Sequence, residues 1–124
     1  MMGILFTGYI ANWKKYTEDE IKIRVARPSP LSPSKTLLND WKNKLITWDE
    51  YEERFVDEII DSEKAQNKIK EILELLKTNN VRLMCYEKNP PCHRFILRDM
   101  IRVLKWGRHI EKIINIGVDI KPID

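Results

Sequence analysis

The chain has 124 residues, enough for one domain with a real core and no covalent staples. Hydrophobic residues at 43% and charged residues at 33% describe an ordinary globular protein, and no apolar run approaches the length of a membrane span. A net charge of +3 is compatible with nucleic acid as a partner without arguing for it. The first residues lack the basic region of a signal peptide and predict a strand over residues 4–10, apolar nearly throughout, as in a strand covered on both faces. Without a secretion signal, the two cysteines are expected to be thiols in a reducing, cytoplasmic compartment. Residues 21–26 alternate Ile, Lys, Ile, Arg and Val and predict a strand nearer an edge, broken by Arg27-Pro28-Ser29-Pro30. Ser32 is the expected cap of a helix with Pro33 in its first turn, and Leu37, Leu38, Trp41 and Leu45 recur at helical spacing. Thr47-Trp48-Asp49-Glu50 is a capping box, with Ile46 and Tyr51 placed for a hydrophobic staple. Tyr51, Phe55, Val56 and Ile59 continue that helix. Asp61 or Ser62 caps a third, striped by Ala65, Ile69, Ile72, Leu73 and Leu76 and ending at Asn79-Asn80.

Residues 81–107 are the stretch around which the chain is organised. Val81, Leu83, Met84, Cys85 and Tyr86 form a short apolar run. Pro90 and Pro91 end it and suit the start of a helix. On the helical wheel Ile96, Leu97, Met100, Ile101 and Leu104 share one face, and Arg94, Arg98, Arg102 and Lys105 lie opposite. His93 falls on the apolar side, so its ring should tuck under the end of the sheet. Gly107 is the expected stop. Residues 110–116 fit a strand or a short helix, and 118–123 a last edge strand. Strands separated by helices imply one α/β domain over 1–124, with a mainly parallel sheet of about four strands flanked by helices. In such sheets ligands sit outside the carboxyl ends of the strands. Tyr9, Arg27, Glu87, His93 and Arg94 are therefore expected to cluster at one end.

Cys85-Tyr86-Glu87, a short Pro-containing loop, then Cys92-His93-Arg94 resembles the signature of the family called domain of unknown function 488. Phe6 to Asn12, Ile23 to Arg27, Leu31 to Lys35 and Trp48 to Arg54 are similar to its first strand and turn, its second strand and its helical middle. The resemblance covers most of the chain up to Lys105 and implies a small α/β protein with a pair of characteristic cysteines. It implies no established reaction, so the chemistry is read from side chains.

Cys92 sits at or just before a helix N-terminus beside Arg94, and both features favour a nucleophilic thiolate. The competing role is a small buried residue filling a gap. Cys85, inside an apolar strand, is expected to pack, although a disulfide to Cys92 is sterically conceivable. Their six-residue separation differs from the two-residue spacing of thioredoxin-like sites. Adjacent Cys92 and His93 are expected to point in different directions on a helix, so neither a metal nor a cofactor is expected. His93 is a candidate general base or acid, or a ring bonded to backbone at the sheet edge. Glu87 is a candidate acid/base or ribose-binding carboxylate, or a surface ion-pair partner of Lys88 or Arg94. Arg94 with the free N–H groups of the helix start makes an anion pocket that Arg27 and Tyr9 would complete, unless it simply pairs with Glu87. Arg98, Arg102 and Lys105 form either a solvated face or a phosphate-backbone contact.

Three functions remain open at this level. The leading one is recognition of a phosphorylated or otherwise anionic small molecule, nucleotide or nucleic acid, with catalysis by Cys92, His93 and Glu87 and ligand contacts from Arg94, Arg27, Tyr9 and Cys85. The second is thiol redox through Cys85 and Cys92. The third is a non-catalytic nucleic-acid-binding module. No membrane partner is expected, and oligomeric state is not legible.

Overall fold

The computed structural model describes residues 3–88 and 91–105. The side chain of Lys105, the Gly107 stop and the elements expected over 110–116 and 118–123 lie outside the described residues, as does Pro90. The elements are β1 (Leu5–Tyr9), a 3-10 segment (Ile10–Lys15), β2 (Glu20–Arg24), α1 (Lys35–Lys42), α2 (Trp48–Ile60), α3 (Glu63–Leu75), β3 (Asn80–Cys85) and α4 (His93–Lys105). No helix among the described residues is long and apolar enough to cross a membrane.

The sheet is parallel, with order β1-β3-β2. It has three strands where about four were expected, because the expected fourth falls outside the described residues. β3 takes the centre because it is the strand that can be covered on both faces: Val81, Leu83, Met84 and Cys85 are all buried. Tyr9 pairs with Cys85 and Arg24 with Met84, so all three strands end at the same level. The ladder runs one step further, where the Val25 N–H donates to the Met84 carbonyl at 2.9 Å. α4 packs on β1 and β3, and α2 and α3 pack against α4 and each other. Phe55, Ile69, Leu83, Leu97 and Ile101 are fully enclosed between these layers.

Local chemistry sets the helix ends. α1 is capped by Ser34, whose hydroxyl accepts from the Leu37 N–H at 3.1 Å. Ser32 was the expected cap, but its hydroxyl donates to the Ser29 carbonyl at 2.7 Å, so it belongs to the preceding turn and Pro33 stays outside the helix. α1 stops early, at Lys42, leaving Leu45 70% exposed and off the stripe. Lys44 adopts a left-handed φ of 58°, the Lys44 N–H donates to Trp41 O at 3.1 Å and the Leu45 N–H to Asp40 O at 2.9 Å. That is the Schellman pattern of a helix C-terminus, built here on lysine instead of glycine. The Thr47/Glu50 capping box forms as expected, and Ser62, not Asp61, caps α3.

One face of β3 carries a buried ion pair that the sequence pattern did not announce. The Arg82 guanidinium donates to both oxygens of Glu20, through Nε and through Nη2 at 3.1 Å, and to the Thr7 carbonyl at 2.6 Å. The rings of Phe6 and Tyr16 lie against it at 4.7 and 4.1 Å.

Candidate functional site

Cys85 is the last residue of β3, and α4 begins at His93. Cys92 therefore sits one residue outside the helix, with its carbonyl accepting from the Phe95 N–H at 3.1 Å. Outside the helix its side chain need not follow the helical wheel. Cys92 and His93 were expected to diverge; instead their side chains converge. Cys92 Sγ lies 3.8 Å from His93 Nδ1, and Cys85 Sγ lies 3.9 Å from the same nitrogen. The three donor atoms lie within 4.8 Å of one another, and all three residues are buried.

Glu87 closes the cluster. Its Oε2 accepts from the Cys85 thiol at 3.0 Å and from the Cys92 thiol at 3.5 Å. His93 does tuck under the sheet, as the wheel predicts. Its Nε2 lies 2.8 Å from the carbonyl of Val25, just past β2. A carbonyl only accepts, so Nε2 carries the proton there and Nδ1 is turned to the sulphurs. The ring of Phe55 on α2 meets the imidazole edge-on at 5.5 Å and fixes its plane.

Arg94 corrects the wheel. It was expected on the solvent face, yet it is buried. Nη1 donates to the Glu87 carbonyl and lies 3.8 Å from Cys92 Sγ, and Nη2 donates to the Lys88 carbonyl at 3.2 Å. Nε has no partner among the described residues. First-turn residues project backwards along the helix, so this guanidinium reaches the loop before α4 instead of open solvent. Its terminal nitrogens tie the loop down.

The two thiols are electrostatically unlike. Hydrogen bonding to Cys92, reinforced by burial, pushes the Cys85 thiol far above its ordinary value. The same hydrogen bond lowers the Cys92 thiol, against its burial, with help from the Arg94 backbone N–H and guanidinium. Burial works to raise Glu87, but the hydrogen bonds from the two thiols and its own backbone, with the His93 charge, hold its carboxyl below the usual value.

Of the two cysteines, Cys92 is the one that borders a cavity. It lines an open cavity of about 400 Å3 shared with Trp48, Glu52, Phe95, Arg98 and Asp99. Trp48 and Glu52 are not among the site residues expected from the sequence, where α2 shows only its cap and apolar stripe. The signal was present: Trp48, Glu52 and Phe55 follow one another at four- and three-residue spacing on one face of α2.

Of the other expected site residues, Tyr9 shares the end of the sheet as the register partner of Cys85, and its N–H donates to the Tyr16 hydroxyl at 3.0 Å. Arg27 follows Val25 by two residues but turns its guanidinium to the Pro33 carbonyl at 2.9 Å. On the basic face, Arg98 pairs with Asp99 at 3.0 Å and Arg102 donates to the Leu5 carbonyl at 3.4 Å.

The family model DUF488-N3a, described as the active DUF488-N3 subclade, matches residues 12–105. The chain belongs to the DUF488 family. The match takes in Cys85, Glu87, Cys92 and His93, so this DUF488 chain carries its thiol cluster inside the family's own boundaries. No curated protein and no solved structure matches it.

Proposed function

We propose that this DUF488 protein works as a dithiol centre performing thiol–disulfide exchange, with Cys92 as the attacking sulphur and Cys85 as the resolving one. The observation that carries this is the meeting of both sulphurs on a single carboxylate oxygen, at 3.0 and 3.5 Å, with Cys92 alone lining the open cavity. Cys92 attacks a substrate disulfide R–S–S–R, forming Cys92–S–S–R and releasing one R–S–H. Cys85 then attacks Cys92 Sγ, forming the Cys85–Cys92 disulfide and releasing the second R–S–H. His93 Nδ1, facing both sulphurs, takes the proton from Cys85 in the second step. The matched subclade's description as active accords with a working site. A reducing compartment such as the cytoplasm suits the resting dithiol.

The anion-binding alternative has less support, because the two terminal nitrogens of Arg94 serve backbone carbonyls and Cys92 Sγ, leaving Nε alone without a partner among the described residues. The nucleic-acid module is similarly weakened where Arg98 is paired and Arg102 is turned to Leu5.

The test is incubation of the reduced chain with oxidised glutathione, followed by intact mass and thiol count. Wild type should lose both thiols and carry no adduct. Cys85→Ser should stop at a single glutathione adduct on Cys92, and Cys92→Ser should remain unmodified. Thiols that stay inert until the chain unfolds would remove the exchange role.

A further inference from the structure

We propose that the reduced chain binds one zinc ion through Cys85 Sγ, Cys92 Sγ, His93 Nδ1 and a Glu87 carboxylate oxygen. The site goes beyond the exchange reaction, because it rests on three buried donor atoms gathered within 4.8 Å of one another and a carboxylate that reaches two of them. Zinc at about 2.3 Å from sulphur and about 2.0–2.2 Å from nitrogen or oxygen holds neighbouring tetrahedral donors about 3.3–3.8 Å apart. The sulphur-to-nitrogen separations are 3.8 and 3.9 Å, so Cys85, Cys92 and His93, gathered within 4.8 Å of one another, stand close to that spacing, and the Glu87 oxygen, 3.0 and 3.5 Å from the two sulphurs, completes the set by turning toward His93 Nδ1. Two sulphurs, an imidazole and a carboxylate form a donor set suited to a borderline-soft d10 ion.

The surroundings supply what a zinc ligand set needs. Val25 O on His93 Nε2, at 2.8 Å, fixes the tautomer and leaves Nδ1 for the metal; a backbone carbonyl commonly plays this part behind a zinc-bound histidine. Two thiolates, one carboxylate and one divalent cation sum to a single negative charge. The buried Arg94 guanidinium, 3.8 Å from Cys92 Sγ, offsets it. Cys85, Cys92 and His93 are 1%, 3% and 6% exposed, so three ligands are shielded and Glu87, on the exposed loop, closes the fourth position. Binding forms two Zn–S bonds, breaks two S–H bonds and releases two protons to solvent. The same sulphurs cannot hold zinc and form a disulfide, so zinc and oxidation compete for one site.

The experiment uses the full reduced chain, stripped with chelator and titrated with Co2+ and then Zn2+. One equivalent of Co2+ should give sulphur-to-cobalt charge-transfer bands and the intense d–d bands of tetrahedral cobalt. One equivalent of Zn2+ should bleach both, with two protons released per ion. Cys85→Ser and Cys92→Ser should lose charge-transfer intensity, and Glu87→Gln should bind more weakly by at least the roughly 10-fold that loss of a mere outer-shell partner costs. Proton release from the wild type needs no variant, so the proposal stays testable if a cysteine variant does not fold. Sub-stoichiometric uptake, octahedral cobalt spectra or zinc binding without proton release would overturn it. Glutathione exchange is run in parallel under chelator. Exchange without zinc uptake sinks the metal site alone, and zinc uptake without exchange sinks the exchange role alone.

Discussion

Arg82 and Cys85 lie three residues apart on the central strand, and each anchors a buried polar cluster on its own face of the sheet. The two are built differently. Around Arg82 each guanidinium nitrogen has an oxygen acceptor, and both Glu20 oxygens are taken. Around Cys85 the thiol does reach Glu87 at 3.0 Å, but the sulphur-to-imidazole contacts are 3.8 and 3.9 Å, His93 Nδ1 faces sulphurs, and Arg94 Nε has no partner among the described residues. Buried polar groups are normally satisfied, since an unmade hydrogen bond costs about 1–3 kcal/mol. A cluster that only holds the fold closes its bonds. A cluster that leaves some open, beside a cavity, is a place to look for chemistry.

The sharpest way to break this contrast is to disable the closed cluster. Glu20→Gln leaves Arg82 buried without its counter-charge, and should cost about 3–5 kcal/mol of unfolding free energy in urea. Thiol exchange in the folded chain should be unchanged. A loss below about 1 kcal/mol would show that the pair is no more structural than the thiols.

Arg94→Met comes next. It leaves the Glu87 and Lys88 carbonyls without their donor, at a cost of about 1–3 kcal/mol by the same denaturation measurement. It should also raise the pH at which the metal-free chain is alkylated at Cys92, because the cation beside that sulphur favours the thiolate. An unchanged labelling profile would make Arg94 a loop tether and nothing more.

A third effect is read from pH. In the metal-free chain Cys85 keeps its proton above the ordinary thiol value. Above about pH 8.5 the unfolded chain loses a proton that the native state retains, so stability falls as pH rises. Cys92 has the opposite sign: its contribution is present above the ordinary thiol value and is lost as pH falls through its lowered one. Urea midpoints against pH should therefore decline from about pH 8.5 for wild type, and Cys85→Ala should remove the part of that decline below about pH 10, above which the buried Tyr51 phenol, also pushed up, adds its own.

The smallest effect sets the scale for the rest. Lys44→Gly relieves a left-handed lysine in the turn between α1 and α2, and should raise stability by about 0.5–1 kcal/mol without touching thiol exchange. A loss instead would mean that the lysine side chain repays its backbone strain.

Periodicity carried the sequence reading far. It placed the three strands, the four helices and the Thr47/Glu50 box, because burial and capping are written in residue order. It also tucked His93 under the sheet. It failed where one residue's backbone state decides the outcome. Placing Cys92 inside the helix made it diverge from His93, while one residue outside, the two converge. Arg94 sits on the polar side of the wheel but reaches back to carbonyls that no wheel contains. Ser32 and Ser34 are equal as caps by type, and the turn at Ser29 chose between them.

The aromatic packing on α2 has an optical consequence. Trp41 and Trp48 meet edge-on at 5.1 Å, Trp48 stacks on Tyr51 at 4.6 Å, and Phe55 continues the column to His93. Indoles this close share their excited states, so their near-ultraviolet circular dichroism belongs to the pair. Trp48 also lines the cavity beside Cys92, so its emission senses the polarity there. The column acts as a built-in chromophore reporting on the sulphur cluster, and its spectrum registers what enters the cavity without any attached label.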